Sequence, residues 1–373
     1  MEFPADRHDA RDTRHPPAVS RRTYLDWLRG VAVIIMIEAH TLDAWTQVAD
    51  RRSHIYGWSM VLAGYGAPFF MFLAGIAMAL ASGARERKGF DATAVAAAAR
   101  RRGWEIFGLA FLFRLQAMIV SGGTLTGLLK VDILNVMGLS MVIAALTWGL
   151  AGQRASRAVL LAALAVACTM VTPLVREAGW VNALPGPLAA YLRPIPGRTT
   201  FTLFPWAGFL LAGGAIGTWL DAVRRDEDER RLVLAVALLG VALGVGGYAA
   251  SYLPSLYARS DFWTSSPTYF FVRLGILLLS IPIAYAWNRV WRGWSPLQDF
   301  GRSSLFVYWV HIELVYGLIS TPLHRTLPFK TAVMGFAAFT VLMFLLVKAK
   351  ERILVWWASR EPSSRWPQAQ GQQ

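Results

Sequence analysis

The chain has 373 residues, 55% of them apolar and only 16% charged, with a formal net charge of +14. A soluble globular chain carries nearer a quarter of charged residues, so the composition argues against a soluble enzyme. The single cysteine, Cys168, rules out a disulfide within one chain, and no HExxH, HxxxH, GxSxG or Walker pattern occurs. This weakens metalloprotease, serine-hydrolase and ATPase readings and leaves no metal site to expect.

In chain order, residues 1–22 are polar and rich in Arg and Pro, and are read as a disordered cytoplasmic tail rather than a cleaved signal. Ten apolar blocks follow, over roughly 25–45, 57–82, 104–121, 133–151, 158–175, 202–221, 232–251, 267–290, 303–321 and 330–347. Blocks of about 20 apolar residues suit helices crossing a bilayer core about 30 Å thick. The expectation is an all-α polytopic membrane domain over 23–350 with about ten transmembrane helices, followed by a cytoplasmic tail at 351–373. The connections alternate in charge. Segments 1–24, 83–103, 152–157, 222–231, 289–302 and 348–373 hold 25 of the Lys and Arg residues, whereas the intervening connections hold 9. The positive-inside rule therefore puts both termini in the cytoplasm. It also explains the basic excess by topology and anionic lipid, with no nucleic-acid partner.

The first block, YLDWLRGVAVIIMIEAHTLDAW, is the least bland. Asp26, Arg29, Val33, Met36, His40 and Asp43 are spaced 3, 4, 3, 4, 3, which places them on one helix face. Asp26 to His40 spans a rise of about 21 Å. The face thus carries an ion-pair candidate near the cytoplasm and an imidazole near the outside, with Glu38 roughly opposite. Charged groups at a helix centre cost about 2.5–3.5 kcal/mol on insertion scales, so they tend to mark sites or pathways. The plainer reading is a structural Asp26–Arg29 pair and an interfacial His40. In the ninth block, Ser304, Tyr308 and His311 share a face, either as a site or as a packing pair, and Glu313 points elsewhere. Arg114, Arg273 and the Asp132–Asn135 pair add further polar groups, each structural when taken alone. Arg100, Arg101 and Arg102 are a topology signal or a phosphate contact. His54 lies in the outer loop 46–56 beside Arg51 and Arg52.

Five segments in order carry a resemblance: LDWLRGVAVIIMIEAH, APFFMFLAG (67–75), DILNVMGLS (132–140), FPWAGFLLAG (204–213) and FGRSSLFVYWVHIELVYG (300–317). Together they resemble the heparan-α-glucosaminide N-acetyltransferase-like family, within the wider transmembrane acyltransferase superfamily. The resemblance implies a helical bundle that moves an acetyl group from cytoplasmic acetyl-CoA to an amino or hydroxyl group of an extracytoplasmic saccharide. It also implies a histidine acting as base or transient acetyl carrier. That histidine matches His40 in the wider superfamily. In the heparan enzyme it falls in the following loop, at a spacing that matches His54 to Pro68. His40 is slightly favoured because a helix fixes its geometry.

On this reading Asp43 orients or charge-stabilises His40. Arg29, Arg102 or Arg114 hold the coenzyme phosphates, Asn135 or Tyr308 serve the thioester oxyanion, and Asp26, Asp132 and His311 support them. The setting is a bacterial-type inner membrane, and a homodimer is compatible with these features. A transporter or flippase using the same polar residues is the alternative, and a non-catalytic envelope component is the third reading. Coenzyme A binding separates the first from both.

Overall fold

The computed structural model describes residues 22–121, 124–291 and 293–360. Of the expected tails at 1–22 and 351–373, residues 1–21 and 361–373 lie outside the described residues, whereas 351–358 are helical. The described residues are all-helical apart from two isolated bridges, Thr46 to Leu327 and Val131 to Thr199.

The α-helices are α1 (Thr23–Trp45), α2 (His54–Ala63), α3 (Gly66–Arg87), α4 (Ala92–Ser121), α5 (Leu125–Leu128), α6 (Ile133–Leu150) and α7 (Arg154–Glu177). They continue with α8 (Gly186–Leu192), α9 (Leu203–Ala222), α10 (Asp226–Ala250), α11 (Pro267–Val290), α12 (Pro296–Arg302), α13 (Ser304–Tyr316) and α14 (Phe329–Ala358).

Among the described residues, eight helical segments are long and apolar enough to cross a membrane, α2 and α3 forming one of them. Two of the ten expected spans fall outside that set. The first, α1, is 23 residues long but carries Asp26, Arg29, Glu38 and Asp43. The ninth, expected over 303–321, starts where Ser303 separates the seven-residue α12 from α13, but its α-helix is only 13 residues long and gives way after Tyr316 to a 3-10 turn, Leu318–Leu323. The last helix runs to Ala358, past the expected end at 347.

Local signals set the helix ends. Ser53 caps α2 and Ser266 caps α11, where Pro267 opens the first turn. Asp132 and Asn135 form a reciprocal capping box on α6. Four acidic residues, Asp226 to Glu229, occupy the first turn of α10, where the helix dipole favours them.

Packing in an apolar medium relies on close backbone approach at small residues. Helices α3 and α9 touch backbone to backbone: a Cβ at Gly75 would strike the Leu210 carbonyl, and one at Gly213 the Phe72 carbonyl. A similar contact seats α1 against α12, where a Cβ on Gly30 would meet Leu297 O and one on Gly301 would meet Asp26 O. Two apolar clusters result. The larger joins α3, α4, α6, α7, α9 and α11 with one side of α1. The second gathers Val33, Met36 and Ile37 of α1 with Phe300, Val307, Val315, Phe339 and Met343. Outward-facing Leu234, Leu238 and Val245 on α10 are exposed, as a lipid-facing surface requires.

The C-terminal end of α1 is held by backbone pairing. Arg325 N donates to Ala44 O (2.9 Å), Leu327 N to Trp45 O (3.0 Å) and Gln47 N to Leu327 O (2.8 Å). The Phe329 amide closes on Asp50 Oδ2 at 2.7 Å. These bonds tie the end of α1 to the segment joining α13 and α14.

Candidate functional site

The two ends of α1 present different chemistry. At the N-terminal end a cavity of about 500 Å³ is lined by Arg22, Asp26, Arg29, Arg87, Asp221 and Arg224, with an apolar wall from α1 and α3. Asp221 is buried and gathers three guanidiniums: Arg87 at 2.5 Å, Arg154 at 3.8 Å and Arg224 at 3.9 Å. Gly83 makes room for it, because a Cβ there would strike the Asp221 carboxylate. Arg22 is fixed by Glu229 (2.7 Å) and by the carbonyls of Leu220 and Val223. Arg29 lies 3.5 Å from Asp26. Desolvation, followed by the like charge of Arg87, lowers the Arg224 guanidinium below its ordinary value, against the pull of Asp221. Four guanidiniums against two carboxylates leave the wall cationic, so an anionic ligand would relieve the crowding.

At the C-terminal end His40 meets His311 of α13. His40 Nδ1 lies 2.8 Å from His311 Nε2, and the rings meet edge to edge, 26° from parallel with centroids 5.0 Å apart. His311 is fully buried, and its Nδ1 lies 2.8 Å from the Val307 carbonyl one turn back. Tyr308 packs edge-on against His311 at 5.9 Å, and Tyr316 packs edge-on against His40 at 5.7 Å. Asp43 does not hydrogen-bond to His40. Its carboxylate accepts from Arg51 Nη1 (3.3 Å) and from the Tyr316 hydroxyl (3.2 Å). The orienting contact expected of Asp43 is therefore made by His311.

The remaining expected residues are distributed as follows. His54 is exposed at the start of α2 and is bonded to neither His40 nor His311. Arg102 is exposed, pairs with Glu105 at 3.1 Å and does not line the cavity. Arg101 pairs with the same Glu105 at 3.3 Å, and no residue of the three-arginine run lines the cavity. Arg114 does not line the cavity either. It pairs with Asp132 at 2.6 Å and bonds to Gly127 O, so its charge is used in anchoring the start of α6. Asn135 is fully buried, and its Oδ1 accepts from the Asp132 amide while its Nδ2 has no partner among the described residues. Tyr308, which packs on His311, also meets Phe113 of α4, the residue before Arg114, with ring centroids 5.9 Å apart. Glu38 Oε2 and Glu313 Oε1 are also without partners among the described residues.

The polar face of α1 is not continuous. Val33 and Met36, in the middle of the stripe, are buried in the second apolar cluster. Sequence reasoning missed Arg22, Arg87, Asp221, Arg224 and Tyr316. Asp221 did leave a signal, as the only acidic residue of its block.

The fold and these two polar centres define a polytopic helical membrane protein with a cation-lined cavity at one end of a helix and an imidazole pair at the other. Residues 21–246 match the family model described as heparan-alpha-glucosaminide N-acetyltransferase, catalytic, and the chain belongs to that family. The class is therefore that of membrane acetyltransferases acting on glycans. No curated protein matches the chain. The matched segment contains α1, His54 and all six polar residues of the cavity, and it ends before α13, which supplies His311.

Proposed function

We propose that the protein transfers an acetyl group from cytoplasmic acetyl-CoA to an amino or hydroxyl group of an extracytoplasmic sugar or glycan, with both termini cytoplasmic in a bacterial-type inner membrane. The observation that carries this reading is the placement of the cationic cavity and the histidine pair on one helix. Arg29 and His40 are 11 residues apart, a rise of about 16 Å. The excess of Lys and Arg on the cavity side supports its cytoplasmic orientation. On this orientation α1 and the broken α12–α13 segment complete ten crossings.

The donor's phosphates suit the cavity, whose wall carries a surplus of two positive charges, counted as four guanidiniums less two carboxylates. The thioester end of the donor then has to reach past Val33 and Met36 toward His40. His40 takes the proton of the acceptor's N–H or O–H as the new N–C or O–C bond forms. The C–S bond breaks, and the departing thiolate recovers that proton as the free thiol. The unpartnered Asn135 Nδ2 and the Tyr308 hydroxyl are donors available to the thioester oxyanion. His40 is preferred to His54 because it is held by a second side chain, whereas His54 is exposed.

The test is calorimetric titration of the purified full-length chain, in detergent, with coenzyme A at low and high salt. Saturable binding that weakens with salt is expected. Absence of binding at both salts removes the enzyme reading and leaves the transporter alternative.

A further inference from the structure

We propose that His311 is a positioning residue that fixes the tautomer of His40, through a chain of hydrogen bonds ending on the Val307 carbonyl. This rests on the reading of His40 as the base. A carbonyl oxygen can only accept, so the 2.8 Å contact from His311 Nδ1 to Val307 O requires a proton on that nitrogen. In the neutral ring His311 Nε2 is then bare and can only accept. The 2.8 Å contact between His311 Nε2 and His40 Nδ1 therefore places the proton on His40 Nδ1. His40 Nε2 is left as a bare lone pair, and it makes no hydrogen bond among the described residues.

The opposite direction of the chain requires a doubly protonated His311. That ring is fully buried and has no carboxylate bonded to it among the described residues, so nothing there balances the charge. The arrangement plays the part that a carboxylate plays beside a catalytic histidine elsewhere, but with a neutral acceptor. Asp43, the carboxylate nearest in sequence, is already engaged by Arg51 and Tyr316. The rings are also held from both sides, Tyr308 against His311 and Tyr316 against His40, so neither imidazole turns freely.

The function follows from the geometry. A base that samples both tautomers presents a lone pair at Nε2 only part of the time. The chain from Val307 makes Nε2 the permanent acceptor. When Nε2 takes the acceptor's proton, the Nδ1 proton stays shared with His311 Nε2, so the new positive charge is spread over two rings. No proton leaves through His311, since its other nitrogen faces a carbonyl that cannot take one.

The test uses the full-length chain with ¹⁵N-labelled histidine in detergent or nanodiscs. Spectra of wild type and of His40→Gln identify the His40 nitrogens. The expected wild-type pattern is a protonated Nδ1 and a bare Nε2. His311→Phe keeps a ring but removes the acceptor, and it is expected to release His40 to the Nε2-protonated form. The expected kinetic effect of His311→Phe is a fall in kcat of roughly 10- to 100-fold with KM for acetyl-CoA unchanged. In His311→Gln the side-chain carbonyl takes the place of Nε2, and kcat is expected within a few-fold of wild type. A wild-type His40 protonated at Nε2, or a His311→Phe variant with full kcat, overturns the proposal. The spectra are read without turnover, so they separate failure of this assignment from failure of the acetyltransferase reading, which full activity in His40→Gln would signal.

Discussion

At its N-terminal end α1 contributes Asp26 and Arg29 to a cavity walled by four arginines and two aspartates, whereas at its C-terminal end it sets His40 against a second imidazole. The first region holds charge by ion pairs around the buried Asp221 and leaves open volume. The second has no ion pair to either ring among the described residues and is framed by the rings of Tyr308 and Tyr316. Buried charges are costly unless paired, and the N-terminal end meets that cost with converging opposite charges. The imidazoles avoid it by remaining neutral and bonding to each other and to a carbonyl. The difference suits a division of labour in which one end binds an anion and the other moves a proton. Val33 and Met36, buried between them, interrupt the polar face that joins the two ends.

The contrast can be broken at either end. The largest effect is expected at the histidine pair: His40→Ala should lower kcat by about 10²- to 10⁴-fold without loss of folded protein, measured by acetyl transfer and size-exclusion chromatography. His54→Ala should stay within a few-fold of wild type in the same assay. Next comes the scaffold that both ends share. Gly75→Val drives a side chain into the Leu210 carbonyl, a backbone atom that cannot swing aside. It should cost about 1–3 kcal/mol of stability, seen as a lower midpoint of thermal unfolding in detergent. At the cavity end, Arg29→Gln should raise KM for acetyl-CoA by about tenfold with kcat little changed, as expected for one charge-assisted contact to phosphate. Arg102→Ala should do almost nothing, changing KM by less than about twofold, because that guanidinium is exposed and paired with Glu105.

The class of fold was legible because bilayer thickness fixes helix length and composition alike, and the polar face of α1 was legible from its 3- and 4-residue spacing. What each polar group touches was not, since the partners come from far along the chain. His311 is 271 residues from His40, and Asp221 is 134 residues from Arg87. Helical periodicity placed Val33 and Met36 on the same face as His40, but the phenylalanines that bury them belong to α12 and α14. The end of α13 at Tyr316 was equally invisible, because the apolar run continues through Leu318 and Ile319 into the 3-10 turn. Arg114 looked available for phosphate until the N-cap of α6 supplied Asp132 beside it.

The most direct test of the account is transfer across a bilayer. The full-length chain is reconstituted into sealed vesicles, with an amino sugar trapped inside and labelled acetyl-CoA added outside. The account predicts labelled N-acetyl sugar inside the vesicles, lost with His40→Ala and retained with His54→Ala. Acetylation only when donor and acceptor share a compartment, or undiminished transfer by His40→Ala, would contradict it.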